Sequence, residues 1–203
     1  TAIANTIGSG VGALPFSDEK SWNSFTPMAT LEYHTDYGMF YLSYSEGFKS
    51  GGFNYPAANP AAVPLDPEEI TQYELGFKGD VLDGQLRLNA ALFYYDYKDL
   101  QVTRAASDGN SVSLATENAA DAKVLGLDAS MTWIASDALT VTAGINVLDS
   151  KYTDYDASAK IPNNELTGLP VTGYGDAFFD AEGESLLRAP DLSGFISTRY
   201  EFL

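Results

Sequence analysis

The chain has 203 residues, of which 45% are hydrophobic, and its 28 acidic and 11 basic side chains give a formal net charge of −17. This charge excludes nucleic acid as a partner because the phosphate backbone would be repelled, and the lack of cysteine excludes disulfides, thiolate metal sites and cysteine nucleophiles. No apolar run approaches the roughly 20 residues of a membrane-spanning helix, so any membrane would have to be crossed by strands.

Residues 1–22 show no regular alternation and are predicted to form a loop. Their first part, TAIANTIGSGVG, has neither an initiator Met nor the basic and apolar regions of a signal peptide. We therefore expect a processed or truncated chain.

The remainder of the chain alternates apolar and polar side chains in seven segments, as strands with one apolar and one wet face do. In QLRLNAALFYYDYK, Leu86, Leu88 and Leu92 share one side, whereas Arg87 and Asn89 share the other. The predicted strands lie near 24–34, 37–48, 69–79, 85–98, 122–134, 138–149 and 190–202. Seven such strands without a convincing helical segment predict an all-β, antiparallel chain.

Short and long connections alternate between these predicted strands. The short ones are turns at 34–37, 80–84 and 135–138, the second with an Asp-Gly turn signal. The long ones are predicted loops at about 49–69, 99–122 and 149–190. All short turns then lie at one edge of the sheet and all long loops at the other, which is typical of an outer-membrane β-barrel.

Strand length and aromatic placement also favour a membrane. A tilted strand of about 10 to 14 residues rises roughly 23 to 33 Å, which matches the hydrocarbon thickness. Aromatic residues would form two interfacial girdles: Trp133, Tyr33, Tyr200 and Phe202 at the short-turn edge, and Tyr73, Tyr94 and Tyr97 at the loop edge. The alternative is a soluble β-sandwich binding module, whose apolar face would pack against a second sheet.

Six motifs, in this order, resemble the barrel of TonB-dependent outer-membrane receptors. They are YLSYSEGFKSGGFN (41–54), DPEEITQYELGFKG (66–79), LRLNAALFYYDYKDLQV (86–102), ENAADAKVLGLDASMTW (117–133), LTVTAGINVLDSKYTDY (139–155) and RAPDLSGFISTRYEF (188–202). The resemblance implies a 22-stranded transmembrane barrel in the outer membrane of a Gram-negative bacterium. It also implies uptake of a scarce nutrient, such as a siderophore, a cobalamin-like chelate or an oligosaccharide.

The resemblance further implies that partners lie outside this chain. At about 29 residues per strand and connection, 22 strands would need roughly 640 residues, so we expect a C-terminal part of the barrel without the plug domain. Its partners would be outer-membrane lipid, the rest of the barrel, the plug and, through the plug, the TonB energy-coupling protein. An alternative is a self-associating fragment in a fibrous assembly, since an open sheet has two bare edges.

Enzymatic chemistry has little support in the sequence. The single histidine, His34, is predicted to lie beside a short turn, and no nucleophile-elbow, zinc-protease or phosphate-loop motif is present. The carboxylates of 66–69 and 180–184 are interpreted as solvated loop charges rather than as an acid–base pair. The sequence therefore predicts neither an enzyme, nor a resident cofactor, nor a metal site.

Candidate ligand contacts lie in the predicted external loops. Loop 149–190 mixes aromatic rings with carboxylates, which suits a sugar or an aromatic metal chelate, although the carboxylates would also suit calcium and a plain surface loop is a further interpretation. The candidate ligand-binding residues are Tyr152, Tyr155, Tyr174, Phe178, Phe179, Phe53 and Asn54.

Overall fold

A computed structural model describes residues 19–54, 63–107, 112–162 and 174–202. All regular structure in these ranges is β-strand, and they contain no helix that is long and apolar enough to cross a bilayer. The strands are β1 (Met28–Thr35), β2 (Gly38–Lys49), β3 (Gly52–Asn54), β4 (Val63–Leu65), β5 (Glu68–Val81), β6 (Leu86–Ser107), β7 (Val112–Ser136), β8 (Leu139–Pro162), β9 (Tyr174–Asp180) and β10 (Leu192–Tyr200). The loop prediction for 1–18 lies outside the described residues.

Seven of these strands form the path of one antiparallel sheet, which confirms the predicted fold class. The order is β1-β2-β5-β6-β7-β8-β10, with β9 paired to the far end of β8, while β3 and β4 form a separate hairpin. No strand of the described ranges pairs with the outer edge of β1 or of β10. The sheet is therefore open, and the barrel is not closed within this chain.

Tight turns join the strands at one edge of the sheet, which we call the turn side. The turn between β5 and β6 has positive φ at Leu82, Asp83 and Gly84, and Gln85 N donates to Leu82 O at 3.0 Å. The opposite edge, where the chain makes its longer connections, is the loop side.

The predicted long loops contain strands, so those parts of the prediction are wrong. Within 99–122, β6 and β7 continue as a hairpin whose register runs from Leu100↔Ala120 to Ser107↔Val112. Within 149–190, β8 continues to Pro162 and pairs with β9, and 49–69 holds the β3–β4 hairpin. Ladder hydrogen bonds join backbone groups and need no particular side chain. A strand segment can therefore stay paired where its sequence no longer alternates between apolar and polar residues.

β9 and β10 lie along the same edge of β8 and are separated by a bulge. Between the pairs Asp156↔Asp180 and Val147↔Leu192, β8 advances nine residues while the opposite chain advances twelve. The bulged segment stays attached to β8, because Gly183 N donates to the carbonyl of Tyr152 at 2.8 Å and Tyr152 N donates to the carbonyl of Glu184 at 3.0 Å.

The outer face of the sheet carries a continuous apolar band. One register row crosses all seven strands of the path and has an aliphatic side chain on each: Leu31, Leu42, Leu75, Leu92, Leu127, Val147 and Leu192. Every one of them is at least 40% exposed. The sandwich alternative required a second sheet against this face, and the described residues place none there.

Aromatic and charged rows border this apolar band on the loop side. The next row holds Tyr44, Tyr73 and Tyr94, whose ring centroids are 5.2 and 6.5 Å apart, and the row beyond holds Asp96, Lys123 and Lys151, among others. Between Trp133, near the turn side, and Leu125, in the tyrosine row, β7 is about 26 Å long. At a strand tilt of about 40°, this length corresponds to a height of roughly 20 Å along the axis of a barrel. The band is therefore close to the height of a transmembrane barrel's apolar belt.

Candidate functional site on the inner face

The inner face, opposite the apolar band, is polar and aromatic. Arg87 and Asn89 point to this face as predicted, since they alternate with the outward leucines of β6. The Arg87 guanidinium donates to both carboxylate oxygens of Asp80, at 2.8 and 3.1 Å. This ion pair thus joins β5 and β6 on the inner face.

A shallow depression of about 300 Å³ lies on the inner face at the level of the apolar band; its side-chain lining includes Tyr41, Glu74, Lys78, Asn89, Phe93, Tyr95 and Asp128. The Tyr41 hydroxyl donates to Glu74 Oε1 at 2.5 Å, and Gln72 Nε2 donates to Glu74 Oε2 at 3.0 Å. Lys78 Nζ lies 5.1 Å from the centroid of the Tyr41 ring. Both carboxylate oxygens of Glu74 therefore accept hydrogen bonds from other side chains.

Three inner-face glycines lie directly opposite an aromatic residue on the neighbouring strand. The pairs are Gly76 with Tyr41, Gly126 with Phe93, and Gly144 with Phe195. A Cβ at Gly126 would collide with the Phe93 ring and lie 2.7 Å from Leu148 Cδ2. Gly126 therefore marks a close approach of β7 to the ring of Phe93 on β6.

Aromatic side chains continue along β6 from this depression to the loop side. The rings of Phe93 and Tyr95 stack at 4.8 Å between centroids, and Tyr95 meets Tyr97 edge-on at 6.3 Å. These residues are two apart on one strand, so all three project from the same face. They form an aromatic path on the inner face that corrects one prediction: Tyr97 was assigned to the interfacial girdle with Tyr73 and Tyr94, but it lies an odd number of residues from the outward Tyr94 and therefore faces inwards.

Two predicted ligand residues, Tyr152 and Tyr155, are brought together by a β-bulge. The register passes from Ala122↔Tyr152 to Asp121↔Asp154, which leaves Thr153 as an extra residue in β8. Both tyrosines then face inwards, with ring centroids 4.8 Å apart. Tyr152 lies beyond the apolar band, and burial is the main cause that raises the pKa of its phenol, so its hydroxyl remains a neutral donor.

The other predicted ligand residues are less fully described. Phe53 lies in β3 and meets the Trp22 ring edge-on at 6.0 Å between centroids. The backbone of Asn54 is in β3, and that of Tyr174, Phe178 and Phe179 is in β9. The side chains of these four residues lie outside the described part of the structure.

A clamp of two amide side chains joins the connections on the loop side. Asn118 Oδ1 accepts from Asp66 N at 2.8 Å, while Asn118 Nδ2 donates to the carbonyls of Asp66 and Asp99, each at 2.8 Å. Gln101 Nε2 donates to the carbonyls of Ser50 at 3.2 Å and Asp66 at 3.0 Å. These side chains replace a backbone ladder between the segment that precedes β5 and the β6–β7 hairpin.

The acidic stretch 66–69 takes part in the same contacts, so its interpretation as solvated charge is incomplete. Asp66 pairs with Lys20 at 2.8 Å, and Glu68 Oε2 accepts from Gln101 N at 3.1 Å and from Lys49 Nζ at 3.4 Å. The two carboxylates hold neighbouring segments together.

A second ion pair lies on the outer face just beyond the apolar band. Lys98 Nζ donates to Asp121 Oδ2 at 2.6 Å, and Asp99 N donates to Asp121 Oδ1 at 3.0 Å. Burial by itself would raise the pKa of Asp121, but the hydrogen bonds from Lys98 and Asp99 outweigh it and lower that pKa. The hydrogen bond to Asp121 is also the main cause that raises the pKa of Lys98.

His34 lies beside the first turn, exposed, with Nε2 at 3.3 Å from Glu32 Oε2. Among the described residues, no group of three or more histidine or acidic side chains is placed to hold a metal ion.

Comparison with known proteins identifies relatives of this sheet. The family model for the TonB-dependent receptor-like β-barrel matches residues 4–203. The probable TonB-dependent siderophore receptor PiuA of Acinetobacter baumannii is 33% identical over 132 residues, which cover 62% of this chain and 17% of that receptor. The metal-pseudopaline receptor CntO of Pseudomonas aeruginosa is 24% identical over 188 residues, which cover 92% and 22%.

A solved structure shows the same fold. The ferric yersiniabactin uptake receptor FyuA from Yersinia pestis matches with a TM-score of 0.59 and 22% identity, over 84% of this chain and 22% of that one. The chain thus spans about a fifth of the length of the relatives that it matches. Since the family model covers nearly every residue and the sheet has the fold of these receptors, the chain belongs to the family of TonB-dependent receptor β-barrels.

Proposed function

We propose that this chain is a wall segment of an outer-membrane receptor that takes up a metal chelate with energy relayed by TonB. Family membership supports the class of protein. The observation that carries the proposal is the row of seven exposed aliphatic side chains, bordered on the loop side by a tyrosine row and a charged row.

Energetics require that the apolar band be covered. Each large aliphatic side chain left in water forfeits about 1.5 to 3 kcal/mol. The row from Leu31 to Leu192 is 40 to 72% exposed, so it forfeits about 6 to 11 kcal/mol in total, which is comparable to the net stability of an ordinary domain. A bilayer covers such a face, and the remaining strands of a barrel would pair with the open edges of β1 and β10. A fibrous assembly would also pair the open edges, but membership of the receptor-barrel family favours the bilayer.

The relatives and the inner face support the proposed ligand class. PiuA and CntO are named as siderophore and metal-pseudopaline receptors, and the paired rings of Tyr152 and Tyr155 offer both an aromatic surface and hydroxyl donors to a chelate. The proposed contacts on the loop side are these two tyrosines together with Tyr174, Phe178, Phe179, Phe53 and Asn54. A receptor of this kind binds and moves its ligand without changing it, so no catalytic residue is proposed.

The test uses the complete receptor that contains this chain. Cells grown under iron limitation are fractionated, and uptake of iron-55 chelates is measured with and without functional TonB. We expect the receptor in the outer-membrane fraction and TonB-dependent uptake of at least one chelate. A receptor that is absent from that fraction, or one that takes up only cobalamin or an oligosaccharide, would contradict the proposal.

The tyrosine pair is tested in the same cells. We expect Tyr152→Ala/Tyr155→Ala to weaken chelate binding at least tenfold while the amount of receptor in the membrane stays unchanged. The matched variant Tyr152→Phe/Tyr155→Phe keeps both rings, so it separates stacking from hydrogen bonding. If the alanine variant binds as the wild type does, these tyrosines are not ligand contacts.

A further inference from the structure

A tight turn holds the main chain of Tyr152 from the side opposite β7. The turn comprises residues 181–184 and is closed by Glu184 N, which donates to the carbonyl of Ala181 at 3.1 Å. Gly183 N donates to the carbonyl of Tyr152 at 2.8 Å, and Tyr152 N donates to the carbonyl of Glu184 at 3.0 Å. The turn therefore engages both backbone hydrogen-bonding groups of a candidate ligand residue.

The conformation of this turn requires a glycine at position 183. Gly183 has a φ of 84°, whereas Glu182 before it has no positive φ, so the turn is of type II, which needs a positive φ at its third position. A Cβ at Gly183 would meet nothing within 4 Å, so the backbone angle rather than lack of space accounts for the glycine. A left-handed glycine that faces one residue of the neighbouring strand together with the next residue forms a G1 β-bulge.

Tyr152 thus lies between two bulges, one on each side of β8. On the β7 side, the extra residue is Thr153, and on the other side it is Gly183. Tyr152 and Tyr155 are three residues apart, so an uninterrupted strand would turn their rings to opposite faces. Ala181 N donates to the carbonyl of Tyr155 at 2.9 Å. The turn therefore contacts the main chain of both tyrosines whose rings lie 4.8 Å apart.

From this arrangement we infer that Gly183 is a positioning residue of the proposed chelate site. Its left-handed conformation holds the turn against Tyr152, and the turn sets how the rings of Tyr152 and Tyr155 face the ligand. Gly183 has no side chain with which to contact a chelate, so it acts only through the two tyrosines. The inference rests on their proposed role as ligand contacts and adds a residue that belongs to another segment of the chain.

The chain offers a matched control for Gly183. Gly84, in the turn between β5 and β6, has a φ of 83°, and a Cβ there also meets nothing within 4 Å. A β-branched residue avoids this conformation, so Gly183→Val and Gly84→Val impose the same kind of backbone strain at opposite edges of the sheet. Gly183→Asn is the conservative variant because asparagine tolerates a positive φ.

The experiment measures chelate affinity and local opening in the complete receptor. Affinity is measured with the iron-55 chelate that the wild type takes up, and opening by hydrogen exchange at the Tyr152 amide. We expect Gly183→Val to weaken binding at least fivefold and to speed this exchange at least tenfold. Gly183→Asn should restore both, and Gly84→Val should leave both within twofold of the wild type. Normal binding by Gly183→Val, or unchanged exchange at Tyr152, overturns the inference.

The tyrosine variants keep this inference separate from the proposed function. In a Tyr152→Ala/Tyr155→Ala background, Gly183→Val should change the affinity by less than twofold, because the rings through which it acts are absent. A fivefold loss in that background would overturn the inference. If Tyr152→Ala/Tyr155→Ala itself binds chelate normally, the proposed contacts fail. If it weakens binding while Gly183→Val does not, the inference fails and the proposed function stands.

Discussion

The two halves of the long strands share one backbone ladder and differ in what surrounds them. On the turn side, the register row Leu75–Leu92–Leu127 belongs to an unbroken apolar band. On the loop side, the same two strands β6 and β7 continue as Gln101–Ser107 and Val112–Asn118, with mostly small and polar residues. Alternation therefore records what covers the two faces of a strand, and a strand without it can still be fully paired.

The largest change in the free energy of unfolding is expected when a charge is placed in the apolar band. Ile145, on the outer face of β8, lies in the row next to the aliphatic one and is 46% exposed. We expect Ile145→Arg to lower the free energy of unfolding in lipid vesicles by about 2 to 4 kcal/mol, the cost of an arginine near the bilayer midplane. Denaturant titration of the complete receptor in vesicles measures this change.

Asn146 provides the matched control, since it is the next residue on the same strand and faces inwards opposite Asp128. Asn146→Arg should cost less than 1 kcal/mol because the inner face is wet and an acidic partner is at hand. Equal costs for the two variants would mean that the outer face is not in contact with lipid.

The next largest effect is expected on the inner face, at Gly126, the register partner of Phe93. Gly126→Ala would push a methyl group into that ring and towards Leu148, and the ring cannot retreat freely because it stacks on Tyr95. Overpacking of this kind costs about 1 to 3 kcal/mol. The same titration measures it, with Gly52→Ala as control, since a Cβ there meets nothing within 4 Å. In a Phe93→Ala background, Gly126→Ala should cost less than it does in the wild type, because the ring with which the new methyl group collides is absent.

The turn-side half of this fold was predictable, and the reason is physical. A lipid-facing surface of the kind proposed above requires apolar side chains at its outward positions. Leu86 to Tyr94 and Leu125 to Trp133 accordingly show a period of two, and the register places their alternate residues on opposite faces as predicted. Outside the band, neither face needs to be apolar. The continuation of β6 to Ser107 and of β8 to Pro162 therefore left no periodic signal.

The candidate site was predictable in composition and less so in geometry. Tyr152 and Tyr155 stood out as aromatic residues in an acidic stretch, but their common face depends on the bulge at Thr153, which no local residue type marks. Asn118 and Gln101 were missed because their partners are backbone groups distant in the chain, such as those of Asp66. Their only local signal was an amide side chain in a predicted loop.

The hydrogen bonds of Asn118 test how much the side-chain clamp contributes to stability on the loop side. Asn118→Ala removes three hydrogen bonds at once, and the exposed setting limits the expected loss to about 1 to 2 kcal/mol. Asn118→Asp keeps the acceptor for Asp66 N but turns a carboxylate oxygen towards the carbonyls of Asp66 and Asp99, so it should cost at least as much as Asn118→Ala. Hydrogen exchange at the Asp66 amide measures local opening; unchanged exchange in Asn118→Ala would show that the amide clamp contributes no stability.

The smallest expected effect is that of pH on the Lys98–Asp121 pair. The pKa of Asp121 is lowered in the folded chain, so its contribution is present above the unfolded value of about 3.9 and is lost as pH falls through the lower folded value. The raised pKa of Lys98 means that its share is lost only in strongly alkaline solution. Both side chains are partly exposed, at 51% and 27%, which limits the pair to less than about 1 kcal/mol. Asp121→Asn should therefore be less stable than wild type at pH 7, and the difference should shrink as the pH falls below about 3.9 in denaturant titrations. A difference that stays constant down to strongly acidic pH would assign the role of Asp121 to packing rather than to charge.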